Sequence, residues 1–162
     1  MDKLNQEQQY SLNDRRELMR RLIRVAIENA IPVDEYDQMS EEQQQNLSHA
    51  TAHATNLQDY RIFMEELGLK EAEIKDIVVH EYAHADKANE LGATFEGYQI
   101  LLLKDENGWI IPAPRVKISY PEDWSHEKYV AVLKEITTAP EEYGNKLSPD
   151  DINDLKKTRP NK

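Results

Sequence analysis

Leu18, Leu22, Ile23, Ala26 and Ala30 recur at helical spacing, which predicts a helix from Ser11 to about Ala30, ended by the Ile31-Pro32 pair. Ser40-Glu41-Glu42-Gln43 has the form of a capping box, a Ser at the N-cap with a Gln three residues on. It opens a second helix, expected to reach Leu67, where Gly68 supplies a left-handed C-cap. A third helix follows from about Glu71 to Leu91 and stops at Gly92.

Beyond Gly92 the pattern changes period. Phe95 to Leu103 is apolar and β-friendly, Lys104-Asp105-Glu106-Asn107-Gly108 carries an Asn-Gly turn signal, and Trp109 to Tyr120 alternates in part. These segments predict a β-hairpin, with Pro112 and Pro114 marking the second strand as bent or at an edge because each lacks a ladder donor. A fourth helix is expected from Glu122 to Thr138, closed by Pro140, with Tyr129, Val130, Leu133 and Ile136 on one face. Ser148-Pro149-Asp150-Asp151 reads as an N-cap followed by Pro at the first helical position and opens a short last helix. Residues 1–10 and 156–162 are polar and expected to be disordered.

The 162 residues are 39% hydrophobic and 31% charged, enough apolar content for one core, and no linker separates two domains. The expected fold class is therefore a single α+β domain, mainly helical, with a small antiparallel β-hairpin after the third helix. With 20 Lys+Arg against 31 Asp+Glu, the net charge of -11 argues against nucleic acid, which requires a basic stripe. Acidic pairs such as Asp150-Asp151 read as solvated surface. The polar N-terminus has no signal-peptide core and no stretch reaches membrane-spanning length, so a cytoplasmic protein with no membrane partner is expected. Cys is absent, which leaves His, Asp and Glu as the ligands for any metal.

Four of the five histidines form two pairs four residues apart, His49/His53 and His80/His84, and the second pair with Glu81 makes an H-E-x-x-H motif. Residues four apart share a helix face, so two imidazoles can hold one ion with the Glu beside them. At about 100° per residue, His80, Glu81 and His84 fall with Ile74, Ile77, Ala88 and Leu91 on one face, expected to be buried. Burying these groups unpaired would be costly, which implies a partner such as a metal. The stretch Ile77-Val78-Val79-His80-Glu81-Tyr82-Ala83-His84-Ala85 resembles the signature of the zincin metallopeptidases. The resemblance implies one zinc per chain on His80 and His84, with Glu81 as the general base acting on a zinc-bound water. Lys87 and Glu90 stand where the metzincin branch has Gly and its third His, so the resemblance does not extend to that branch.

The second and third helices are separated by only Gly68-Leu69-Lys70, which favours an antiparallel helical hairpin. Both His53 and His84 then lie about 22–24 Å from the turn, side by side. His53 is accordingly the leading third ligand, with Glu96, Glu122 and His126 as downstream rivals and His49 as a neighbour or fourth ligand. A carboxylate-bridged iron pair would need two E-x-x-H elements, and only Glu81-x-x-His84 is present. In the zincins a sheet edge pairs with extended peptide, a role the resemblance gives to Phe95 to Leu103. The functional expectation is a zinc-dependent hydrolase, a small intracellular metallopeptidase with a peptide or protein substrate. The alternative is a non-catalytic structural or interaction protein whose histidines close around the metal.

Overall fold

The computed structural model describes residues 2–157, and it is mainly helical with a small four-stranded sheet. In chain order the elements are α1 (Asp2–Glu28), β1 (Ile31–Pro32), α2 (Val33–Asp37), α3 (Glu41–Gln45), β2 (Thr51–Ala54), α4 (Leu57–Glu66), α5 (Glu71–Glu90), β3 (Thr94–Lys104), β4 (Ile110–Ser119), α6 (His126–Thr138) and α7 (Pro149–Lys157). The α+β class and the hairpin after the H-E-x-x-H helix are as the sequence pattern predicts. Residues 158–162, part of the tail expected to be disordered, lie outside the described residues. At the other end the first helix runs back to Asp2 instead of starting at Ser11.

The chain divides into two compact units: the chain up to Lys70 with Tyr98–Arg115, and Glu71–Gly97 with the chain from Val116 on. In the first unit α1 buries Met19, Ile23 and Ala26, Ala30 is buried just beyond its end, and the helix packs against α4 and β2. Arg15 of α1 grips the buried carboxylate of Asp59 of α4 with two hydrogen bonds of 2.7 Å. Ile31, Leu47, Ala50, Leu101 and Leu103 form an apolar cluster. β1 pairs parallel to β3 through Ile31 and Leu103, while β2 pairs antiparallel to it from Thr51 opposite Leu101 to Ala54 opposite Tyr98.

The helix expected from Ser40 to Leu67 does not form as one piece. Its capping box is present, with Ser40 and Gln43 exchanging hydrogen bonds, but α3 ends at Gln45. Leu47 then turns into the core, and Thr51–Ala54 is drawn into the sheet with Ala52 and Ala54 buried and His53 facing out. This four-residue segment satisfies a strand's period of two as readily as a helical one, and the ladder offered by β3 decides between them. Asn56 starts α4 afresh by accepting from the Asp59 N–H. The antiparallel helical hairpin that put His53 level with His84 therefore loses its premise.

β4 pairs with β3, in keeping with the edge position that Pro112 and Pro114 require. β3 itself pairs with β1 at Leu103 and Lys104, with β2 from Tyr98 to Leu101, and with β4, so part of the segment to which the zincin resemblance gave a peptide-pairing role already has strand partners within the chain.

In the second unit Ala88, Ala93, Val132 and Ile136 form the apolar cluster, flanked by Leu91, Ile118, Tyr120 and Trp124. Gly92, at φ 89°, adopts the left-handed conformation that ends α5. α6 begins at His126, later than Glu122, because Ser125 is the residue whose hydroxyl accepts from the Lys128 N–H.

Candidate metal centre

α5 carries acidic Glu71 and Glu73 in its first turn and Lys87 in its last, the charge order its dipole favours. Small residues on its inner face, Ala83, Ala85 and Ala88, are buried. They leave room for the long polar side chains between them. His80, Glu81 and His84 are 8%, 5% and 6% exposed. The two imidazoles meet edge to face with centroids 4.9 Å apart, and their Nε2 atoms are 3.2 Å apart.

The third group is Asp151, in the first turn of α7. One carboxylate oxygen, Oδ2, lies 2.8 Å from His80 Nε2, and the other, Oδ1, lies 3.2 Å from His84 Nε2. Local chemistry fixes this carboxylate: Oδ2 also accepts from the Ser148 N–H at 3.0 Å, while Ser148 Oγ accepts from the Asp151 N–H at 3.2 Å. This reciprocal capping holds the side chain against the helix N-terminus. Among the described residues, His80, His84 and Asp151 are the group of His, Asp and Glu whose ligand atoms converge, all within 4.8 Å of one another.

The outer ring nitrogens decide what the inner ones can do. His84 Nδ1 is 2.8 Å from the Ile136 carbonyl oxygen, which only accepts, so Nδ1 carries the proton. His80 Nδ1 lies 3.1 Å from Asn145 Oδ1, and that amide's orientation follows from its Nδ2 donating to the Asp76 carbonyl at 3.4 Å. In the neutral imidazoles both Nε2 atoms are then lone-pair acceptors, facing each other and a carboxylate. Three acceptors at this spacing require a cation between them, either a proton or a metal ion.

Both cations suit the donors. Two ligands about 2.1 Å from one zinc at a tetrahedral angle stand about 3.4 Å apart, so a few tenths of an ångström of outward movement admits an ion. Imidazoles whose far N–H groups are held by oxygen acceptors, beside an oriented carboxylate, are the usual dress of metal ligands. Without an ion the proton takes its place. Burial works against the imidazolium at both histidines, but the hydrogen bonds with Asp151 and the charge of Glu81 override it, and both pKa values stand above the ordinary one. Burial likewise disfavours the Asp151 carboxylate, yet its hydrogen bonds with His80 and His84 hold its pKa below the ordinary range. Burial pushes the Glu81 carboxyl up to about 7, against the pull of His84 and His80.

Of the residues singled out from sequence, His80, Glu81 and His84 come together on α5. His53 is an exposed residue of β2 whose Nδ1 lies 3.5 Å from Gln99 Nε2. His49 is exposed in the 3-10 turn before β2. Glu96 is exposed on β3 and pairs with Lys117 at 3.7 Å, Glu122 is exposed before α6, and His126 is the exposed first residue of α6. Asp151 was missed: the Asp150-Asp151 pair reads as solvated surface, yet Asp151 is 7% exposed. The legible signal was the Ser148 N-cap, which places a carboxylate three residues on at a capping-box position. Asn145, in the loop before α7, carries no comparable signal.

No family model matches the chain, and no match was found among the curated proteins or the solved structures.

Proposed function

We propose that the protein is a zinc-dependent hydrolase acting on peptide bonds, with His80, His84 and Asp151 as ligands and Glu81 as general base. The observation that carries the reading is the placement of Glu81, a carboxylate buried beside the two histidines on the same helix. A purely structural centre has no use for a second carboxylate there, whereas hydrolysis requires a base. Zinc, when bound by three protein ligands, leaves a position for water and lowers that water's pKa. Glu81 would accept the water's proton and pass it to the leaving amine. Asn145 and the Ile136 carbonyl would keep the two imidazoles in the ligating tautomer.

The test is Glu81→Gln in zinc-loaded protein presented with a mixed peptide library. Metal should be retained and cleavage should fall by about 100-fold or more. Retained metal with unchanged cleavage would remove Glu81 from the mechanism.

The depth of the site favours a second reading, a non-catalytic metal centre. His80, Glu81, His84 and Asp151 are all buried, as they would be in a site built to join helices. Metal bound at full occupancy in wild type, with no peptide in the library cleaved, would select this reading.

A further inference from the structure

α7 is built the wrong way round for a helix held by apolar burial. It is nine residues long, a length at which an isolated helix is marginal in water. Of its side chains from Pro149 to Lys156, only Asp151 is buried; Ile152 is 47% exposed and Leu155 is half-buried. The helix packs along α6, and the Asp151 carboxylate ties it to α5 through His80 and His84. The same carboxylate closes the first turn of α7 through Ser148, so its position and the integrity of that turn are one structural unit.

We propose that a metal ion on His80, His84 and Asp151 is the clasp of the C-terminal helix, so that metal binding and docking of α7 on α5 are one linked equilibrium. The inference rests on the metal reading above and concerns its regulation, whether the centre is catalytic or structural. Linkage makes the effect reciprocal: an ion that binds better to the docked arrangement favours docking, and any change that undocks α7 weakens the ion by the same factor. Loss of metal then leaves α7 held by its packing along α6 and by the hydrogen-bonded contacts of Asp151 with His80 and His84, and so loosens it. In a hydrolase this would couple access to His80 and His84 to the supply of the ion.

Amide hydrogen exchange with zinc and with EDTA, alongside elemental analysis of the same samples, tests this on the full chain. In wild type, zinc should slow exchange across 149–157 by about tenfold or more, while amides of α4 remain as they were. Asp151→Asn, which keeps the side chain's shape and can still accept from Ser148, should abolish the zinc response of α7. His84→Ala should do the same from the opposite side, and unchanged exchange of α4 in both variants establishes that they are folded. Stoichiometric zinc with unaltered exchange in α7 overturns the clasp and leaves the metal centre standing. No zinc uptake overturns the centre and the clasp together.

Discussion

His80 and Asp151 are 71 positions apart in the chain, and His80 Nε2 lies 2.8 Å from Asp151 Oδ2. That contact, with His84 beside it, extends a sequence motif into a cluster of three groups able to hold a metal ion, and it makes the proposed ligand set testable one residue at a time. Purified protein should take up one zinc per chain. His80→Ala, His84→Ala and Asp151→Ala should each lower affinity by about 100-fold or more, whereas His53→Ala, His126→Ala and Glu96→Ala should leave it unchanged. Competition against a chromophoric chelator reads all six. An undiminished affinity in Asp151→Ala would exclude the carboxylate.

An ion that binds only the folded arrangement stabilises it, so on the proposed reading its removal should cost stability. At free zinc 1,000 times the dissociation constant the linkage amounts to about 4 kcal/mol. Calorimetry with and without EDTA should show the corresponding fall in melting temperature in wild type and none in His80→Ala. Equal melting temperatures in wild type, with metal content measured, would show that the ion does not bind preferentially to the native state.

Asn145 touches His80 on the side away from the cluster, and its effect should pass through the imidazole. Asn145→Ala should weaken zinc by about 10–100-fold, and Asn145→Asp, which still accepts from Nδ1–H, should restore binding. Nitrogen-15 spectra of labelled histidine give an independent readout, since only loss of the acceptor should allow His80 to change tautomer. Wild-type affinity in Asn145→Ala would reduce this contact to a loop anchor.

The contribution of Arg15 and Asp59 to the first unit has a definite pH sign. The Arg15 hydrogen bonds hold the Asp59 carboxyl below its ordinary pKa, against the burial that would raise it. A carboxylate depressed in the folded state stabilises above its unfolded pKa of about 3.9 and loses that contribution as pH falls through the folded value. Asp59→Asn should therefore cost about 1–3 kcal/mol at pH 7, and the deficit should shrink below about pH 4. Urea titrations at pH 7 and pH 3 measure both, and a deficit independent of pH would mean that the ionised carboxylate is not what stabilises.

What could be read in advance follows from how local each signal is. His80, Glu81 and His84 lie within one helix turn, where spacing alone sets geometry, and the hairpin announces itself through Asn107-Gly108. The strand at Thr51–Ala54 is decided by a partner in β3, a tertiary term that overrides the local pattern. It removed His53 from the helical position on which its assignment as a ligand depended. Asp151 depends on where α7 docks, and no periodicity in nine residues contains that information. Its local half begins at the Ser148 N-cap, which the sequence shows; its distant half, the two imidazoles, has no local signal.

That local half supplies the last prediction, because Ser148 lies outside the ligand set and yet bears on it. Its hydroxyl accepts from the Asp151 N–H and its own N–H donates to Asp151 Oδ2, so one residue caps α7 and orients the carboxylate. Ser148→Ala removes the hydroxyl and leaves the backbone donor in place. The cap is worth about 1 kcal/mol to the helix, a factor of about 5 in the docked population if docking and capping are one event. Zinc affinity should fall by about that factor. Ser148→Asp, which keeps an accepting oxygen at the N-cap, should recover most of the loss. Calorimetric titration of the three proteins decides it: equal affinities would mean that the carboxylate is held on His80 and His84 without help from its own helix.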